Sequence, residues 1–143
     1  MRLALIAPLA AVLAGCAATP PEATEPAAGP QQRTVEVTVT YRERILLPPG
    51  HALTVTLSDV SLADAPARDL AKTTVPLEGR GPPYSVALTI PAASLDPRHE
   101  YAVRAEIHDG RGGLRFTTDT RHSVLTRGAP DRADIVLVGV RAP

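Results

Sequence analysis

The chain has 143 residues, and its fifteen Lys plus Arg balance fifteen Asp plus Glu, which excludes the basic footprint that nucleic acid or anionic lipid selects. The length suits one folded domain, because a comfortable hydrophobic core takes roughly 100 residues. The aromatic residues are only Tyr41, Tyr84, Tyr101 and Phe116, too few for a carbohydrate-stacking platform or a surface for single-stranded nucleic acid.

Residues 1 to 16, MRLALIAPLAAVLAGC, carry one positive charge at Arg2, an apolar run from Leu3 to Leu13, and small residues ahead of the only cysteine. This is the layout of a secretory signal, and the run is shorter than the about 20 apolar residues that cross a bilayer as a helix. Leu13-Ala14-Gly15-Cys16 resembles the bacterial lipobox. The resemblance implies diacylglycerol on the Cys16 sulfur, cleavage before Cys16 and acylation of the new amino terminus. A thioether link needs a sulfur nucleophile, and Ala14 and Gly15 leave the backbone accessible to a peptidase. Buried acyl methylenes contribute about 0.8 kcal/mol each, so several chains anchor firmly. Ala17, where an Asp would favour retention in the inner membrane, points to the outer membrane, facing the periplasm.

The signal peptide is therefore expected over 1–15, with the lipidated cysteine and a tether over 16–32. From Ala17 to Gln32 the chain reads AATPPEATEPAAGPQQ, which has no bulky apolar residue to offset the entropy of ordering. At about 3.1 Å per residue in extended polyproline geometry, it holds a domain up to roughly 50 Å from the lipid. The folded domain is expected over 33–143.

Within that domain the apolar residues alternate. Thr34 to Tyr41 places Val35, Val37, Val39 and Tyr41 on one face, a half-buried strand. Pro49 and Gly50 suit the central positions of a type II turn, and Leu53 to Leu57 alternates again. Residues 61 to 68 read as a loop, and Leu70 to Leu77 as a third strand, in which Pro76 requires an edge or strand-end position. Tyr84 to Ile90 and Tyr101 to Ile107 follow, and Asp109-Gly-Arg-Gly-Gly113 turns the latter into Leu114 to Thr118 as a hairpin. A short piece near Ser123 to Thr126 is expected to pair. Asp134 to Val140 is expected to be covered on both faces, since it does not alternate. No window carries a helical period, which predicts an all-β fold, an immunoglobulin- or fibronectin-like β-sandwich of seven to eight strands.

Leu95, Pro97 and Tyr101, leading straight into an alternating strand, resemble the tyrosine corner of fibronectin type III domains. Tyr101 is expected to pack on the core with its hydroxyl bonded to backbone a few residues upstream, a structural role.

Residues that would carry chemistry do not cluster. His51, His99, His108 and His122 stand singly, without the spacing of a zinc site, and are expected to be solvated. Asp59, Asp64 and Asp69 lie near one loop but match no calcium-binding spacing; a solvated loop in which Asp59 bonds local backbone is the better expectation. Arg42-Glu-Arg44 reads as a solvated strand end. The Gly110 to Gly113 run precedes no helix and lacks the Lys-Ser/Thr of a phosphate loop. With no Gly-x-Ser-x-Gly elbow and its cysteine committed to lipid, the chain is expected to be no enzyme and to use no cofactor or metal.

The segments Tyr41-Arg-Glu-Arg-Ile-Leu-Leu-Pro-Pro-Gly50, Leu53 to Ser61 with Ala63-Asp-Ala-Pro66, Asp96 to Tyr101, Phe116-Thr-Thr-Asp119 and Val124 to Gly128 together resemble the YbaY/YscW lipoprotein family, in the family's order. The resemblance spans about Thr34 to Val140. It implies a lipid-anchored immunoglobulin-like sandwich, with some members acting as chaperones, or pilotins, for the secretin of a type III secretion system. The expected function is a non-catalytic, pilotin-like module anchored in the outer membrane, with an envelope or secretion protein as client and no nucleic-acid or small-molecule partner. The alternative is a structural or stress-related envelope lipoprotein with no dedicated client. Capture of a client needs an exposed edge strand or an apolar groove, and Leu70 to Leu77 is the candidate edge.

Overall fold

The structure, a computed structural model, describes residues 29–141. The expected signal peptide, Cys16 and the tether as far as residue 28 lie outside the described residues. Eight strands follow: β1 (Gln32–Tyr41), β2 (Ala52–Asp59), β3 (Arg68–Pro76), β4 (Tyr84–Pro91), β5 (Tyr101–His108), β6 (Leu114–Thr117), β7 (His122–Val124) and β8 (Arg132–Gly139), with one 3₁₀ turn at Ala92–Ser94. The fold is all-β, as the recurrent alternation predicts.

The strands run in the order β3-β2-β5-β6-β8-β1-β4, with β7 paired to β5. All pairings are antiparallel except β1 with β8. A sandwich of two separate sheets is therefore not what forms. The β1, β4, β8 half and the β2, β3, β5, β6, β7 half are joined where Phe116 pairs with Gly139 and Thr117 with Val138, giving one wrapped, nearly closed sheet. Alternation states which face of a strand is buried, but it leaves open which strands hydrogen-bond, and this short bridge has no signature in the pattern. The ends of the sheet, β3 and β4, lie side by side without a ladder between them.

Val35, Val37 and Val39 of β1 meet Leu53, Val55 and Leu57 of β2 in the single core, together with the inward residues of β4, β5 and β8. Each such side chain contributes about 1.5 to 3 kcal/mol on burial. Tyr41 stacks on Phe116 with ring centroids 4.8 Å apart and lies 6.4 Å from Tyr84, so most of the few aromatics close one end of the core. The expectation that β8 is covered on both faces is corrected. Ala133, Ile135 and Leu137 are buried, whereas Val136, Val138 and Val140 remain 41%, 38% and 37% exposed. Its outward valines satisfy strand propensity without a covering layer.

The strands define two poles. At one lie the start of β1, the 92–100 and 118–131 connections and the β2–β3 loop; at the other lie the loops 42–51, 77–83 and 109–113 and the end of β8. Residues 29–31 lead into β1 at the first pole, where the Ala92 N–H donates to the Gln31 carbonyl at 2.8 Å.

Candidate binding site

At the pole where β1 begins, the unpaired ends of β3 and β4 border a cleft of about 860 Å³. Its walls are Arg68, Asp69 and Leu70 from β3, Ile90 and Pro91 from β4, the 3₁₀ turn, and the loop from Leu95 to His99 above Tyr101. The three residues singled out as a tyrosine corner, Leu95, Pro97 and Tyr101, thus all line it. Tyr101 is 2% exposed, and its hydroxyl accepts the Asp96 backbone N–H at 2.8 Å.

Two carboxylates stiffen the wall. Asp96 Oδ1 accepts the Arg98 backbone N–H at 2.9 Å, and Asp96 Oδ2 accepts from the Arg98 guanidinium at 2.8 Å. Those bonds, the guanidinium first, hold the Asp96 carboxyl well below the usual carboxylate range. Asp59 Oδ2 bonds His99 Nδ1 at 2.6 Å across 40 positions of sequence, while Asp59 Oδ1 accepts the Ser61 backbone N–H at 3.0 Å and the Ser61 hydroxyl. Burial pushes the Asp59 carboxyl up, but the bonds from Ser61 and His99 outweigh it and hold the carboxyl below its ordinary value. The Thr126 hydroxyl donates to the His99 carbonyl at 2.7 Å, and the Glu100 N–H donates to Ser61 Oγ at 2.9 Å. The cleft wall is therefore a fixed surface.

The expectation that His99 is simply solvated is corrected: it is half-exposed but tied to Asp59. Neither residue's spacing announces the pair, because the β2–β5 ladder, with Asp59 opposite Tyr101, brings them together. Asp59 does bond local backbone as expected. Asp69 joins it at the cleft, its Oδ1 accepting the Ser58 hydroxyl at 2.6 Å, after a bulge in the β2–β3 register re-aims the strand. Asp64 does not line the cleft. His51 bonds the Pro48 carbonyl at 2.9 Å at the far pole. Among the described residues no three His, Cys, Asp or Glu side chains converge as a metal site would require. Gly110 to Gly113 forms the β5–β6 turn, in which Asp109 Oδ1 accepts the Arg111 and Gly113 N–H groups at 2.9 Å each.

The cleft continues into two sheet edges that differ in character. β3 is an edge strand, as Pro76 requires. The bond from the Leu77 N–H to the His51 carbonyl sets the phase of its ladder, so Lys72, Thr74 and Pro76 turn their main chains outward. A lysine and a proline without an N–H guard that edge. In β4 the Ala92 to Gln31 bond sets the phase, and Tyr84, Val86, Leu88 and Ile90 spend their main-chain groups on β1. Ser85, Ala87 and Thr89 then present free N–H and C=O groups outward. Their side chains are exposed, small and uncharged. Pro91 stands at its end, and β3 lies alongside without forming a ladder to it. The candidate edge expected from sequence was β3, and β4 was missed; its run of small neutral outward residues is the signal that marks it.

A family model of type III secretion system lipoprotein chaperones (YscW) matches residues 30–137. The chain is 41% identical over 111 residues to the uncharacterized lipoprotein YbaY of Escherichia coli (strain K12), an alignment covering 78% of this chain and 57% of that protein. The match thus spans little more than half of the relative's length. Among solved structures, an alternative pilotin from the type II secretion system of Vibrio cholerae superposes with a TM-score of 0.75 at 38% identity, covering 78% of this chain and all of that one.

Proposed function

Because the chain belongs to the type III secretion system lipoprotein chaperone (YscW) family, which takes in YbaY, we propose that it is a non-catalytic, lipid-anchored chaperone-like module of the cell envelope. In this reading Cys16 carries the lipid, the 16–32 segment is the tether, and the outer membrane is the site of anchoring, with the domain in the periplasm. The client is a secretion or envelope component, supported by the likeness to a pilotin.

One observation carries the binding step: β4 leaves Ser85, Ala87 and Thr89 with unpaired main-chain groups beside a rigid cleft. An extended client segment adds to β4 as a further strand, satisfying those groups, while its side chains reach the cleft. Unpaired strand edges are normally blunted, and the contrast with the guarded β3 edge singles β4 out. The test is site-specific photo-crosslinking from position 87 in cells. A discrete envelope or secretion protein, lost from the adduct when Thr89→Pro removes the neighbouring outward donor of β4, is expected. Adducts from position 74 on β3 but none from position 87 would overturn the strand-addition step.

A further inference from the structure

At the pole opposite the tether, Ile45 and Leu46 stand 53% and 64% exposed on a loop that is anything but loose. The Tyr41 hydroxyl donates to the Ile45 carbonyl at 2.9 Å, Leu47 is 4% exposed in the core, and Leu46 Cδ1 lies against the Gly81 position. Two large aliphatic side chains are thus held in water by a pinned backbone, with no core position to retreat to. Apolar surface fixed in this way and rimmed by polar groups marks an interaction site.

The rim is positively charged. Arg42, Arg44, Arg111, Arg115 and Arg141 are exposed at this pole, and none forms an ion pair among the described residues. Against them stand Glu43, Glu78 and Asp109, the last occupied by its own hairpin turn. A chain of zero formal charge therefore carries an excess of exposed arginines at the same pole as this apolar centre, brought together by tertiary folding from three stretches, 42–46, 111–115 and 141.

We propose that this pole is a second docking surface, for an acidic segment of a protein partner whose apolar side chains cover Ile45 and Leu46 while its carboxylates meet Arg42 and Arg44. Charge complementarity selects an acidic occupant. A protein rather than the anchoring bilayer fits the geometry. The tether enters at the other pole, and the ten residues of β1 separate the two by about 33 Å. This orientation rests on the lipid-anchor reading above, but the surface does not depend on strand addition at β4.

The test holds the full chain in nanodiscs of neutral lipid. It is titrated with a labelled synthetic peptide in which Glu and Leu repeat at helical spacing, with the same peptide carrying Lys for Glu, and with phosphatidylglycerol-containing liposomes. Saturable binding of the acidic peptide is expected, weakened by added salt. It is expected to be about tenfold or more weaker in Arg42→Ala/Arg44→Ala and in Ile45→Ser/Leu46→Ser, exposed changes whose folding a thermal melt verifies. Ala87→Pro should bind the peptide as the unaltered chain does, which separates this surface from the β4 edge. No saturable binding, equal binding of the Lys peptide, undiminished binding by the arginine variant, or binding of anionic liposomes without binding of the peptide would each overturn the proposal.

Discussion

The Tyr101 hydroxyl takes the Asp96 N–H at 2.8 Å, tying the entry of β5 to the loop that walls the cleft. Tyr101→Phe keeps the ring in the core and removes only this bond, leaving a part-buried N–H without a partner. A loss of about 1 kcal/mol is expected, equivalent to a melting temperature lower by about 5 °C. Calorimetry of the variant checks this, and an unaltered melting temperature would refute a structural role for the hydroxyl.

Acid should destabilise the domain through identifiable carboxylates. Asp59, Asp96 and Asp109 all sit below the 3.8 of an ordinary aspartate when folded, so in acid the unfolded chain binds more protons than the folded one. Their contribution is complete above that value and is lost progressively as the pH falls from it through the lower folded values. Urea midpoints measured across the acid range should drop accordingly, and Asp59→Asn should flatten the slope. A slope unaffected by the substitution would mean that the His99 and Ser61 bonds do not shift this carboxyl.

The β5–β6 turn is tightly constrained around Asp109. A methyl group at position 113 would lie 2.9 Å from Asp109 Oδ2, dislodging the carboxylate from the N–H groups it accepts. Gly113→Ala is expected to cost about 1 to 2 kcal/mol. In an Asp109→Ala background the same change should cost little, because the clashing group is gone. Denaturation curves of the two single variants and the double variant decide the matter.

Strand addition at β4 predicts a specific separation of binding from folding. The Ala87 N–H points away from β1, so Ala87→Pro removes a donor that the domain itself does not use, and proline is tolerated on edge strands. Client capture should fall by about tenfold or more while the protein remains folded by circular dichroism. Loss of fold would leave Ala87→Lys, which charges the edge without touching the ladder, as the deciding variant.

Lipid attachment at Cys16 predicts that Cys16→Ser abolishes incorporation of labelled palmitate and releases the protein from the membrane fraction. The mature chain should begin at an acylated Cys16 by mass spectrometry. An unmodified amino terminus at another residue would overturn the assignment.

Much of the strand content was legible because it depends on a local period. Val35, Val37 and Val39 announce a buried face at any level of inspection, Gly50 takes the positive φ of 95° that its turn requires, and Tyr101 carries its corner in a handful of neighbouring residues. β8 misled, because Ile135 to Val138 is apolar at every position although only alternate residues are covered. A continuous apolar run reports propensity as well as burial, and the two are indistinguishable in one dimension.

The candidate sites were less legible. Asp59 and His99 meet through a ladder, β4 becomes an edge only because β3 does not close onto it, and the arginines at the pole of Ile45 come from three stretches of the chain. The amino-acid sequence by itself determined the alternating strands, the turns and the tyrosine corner, since each is written in adjacent or regularly spaced residues. Only the tertiary structure decided which strands pair, which edge stays open and which charges share a pole, because those are long-range relationships set by how the sheet wraps.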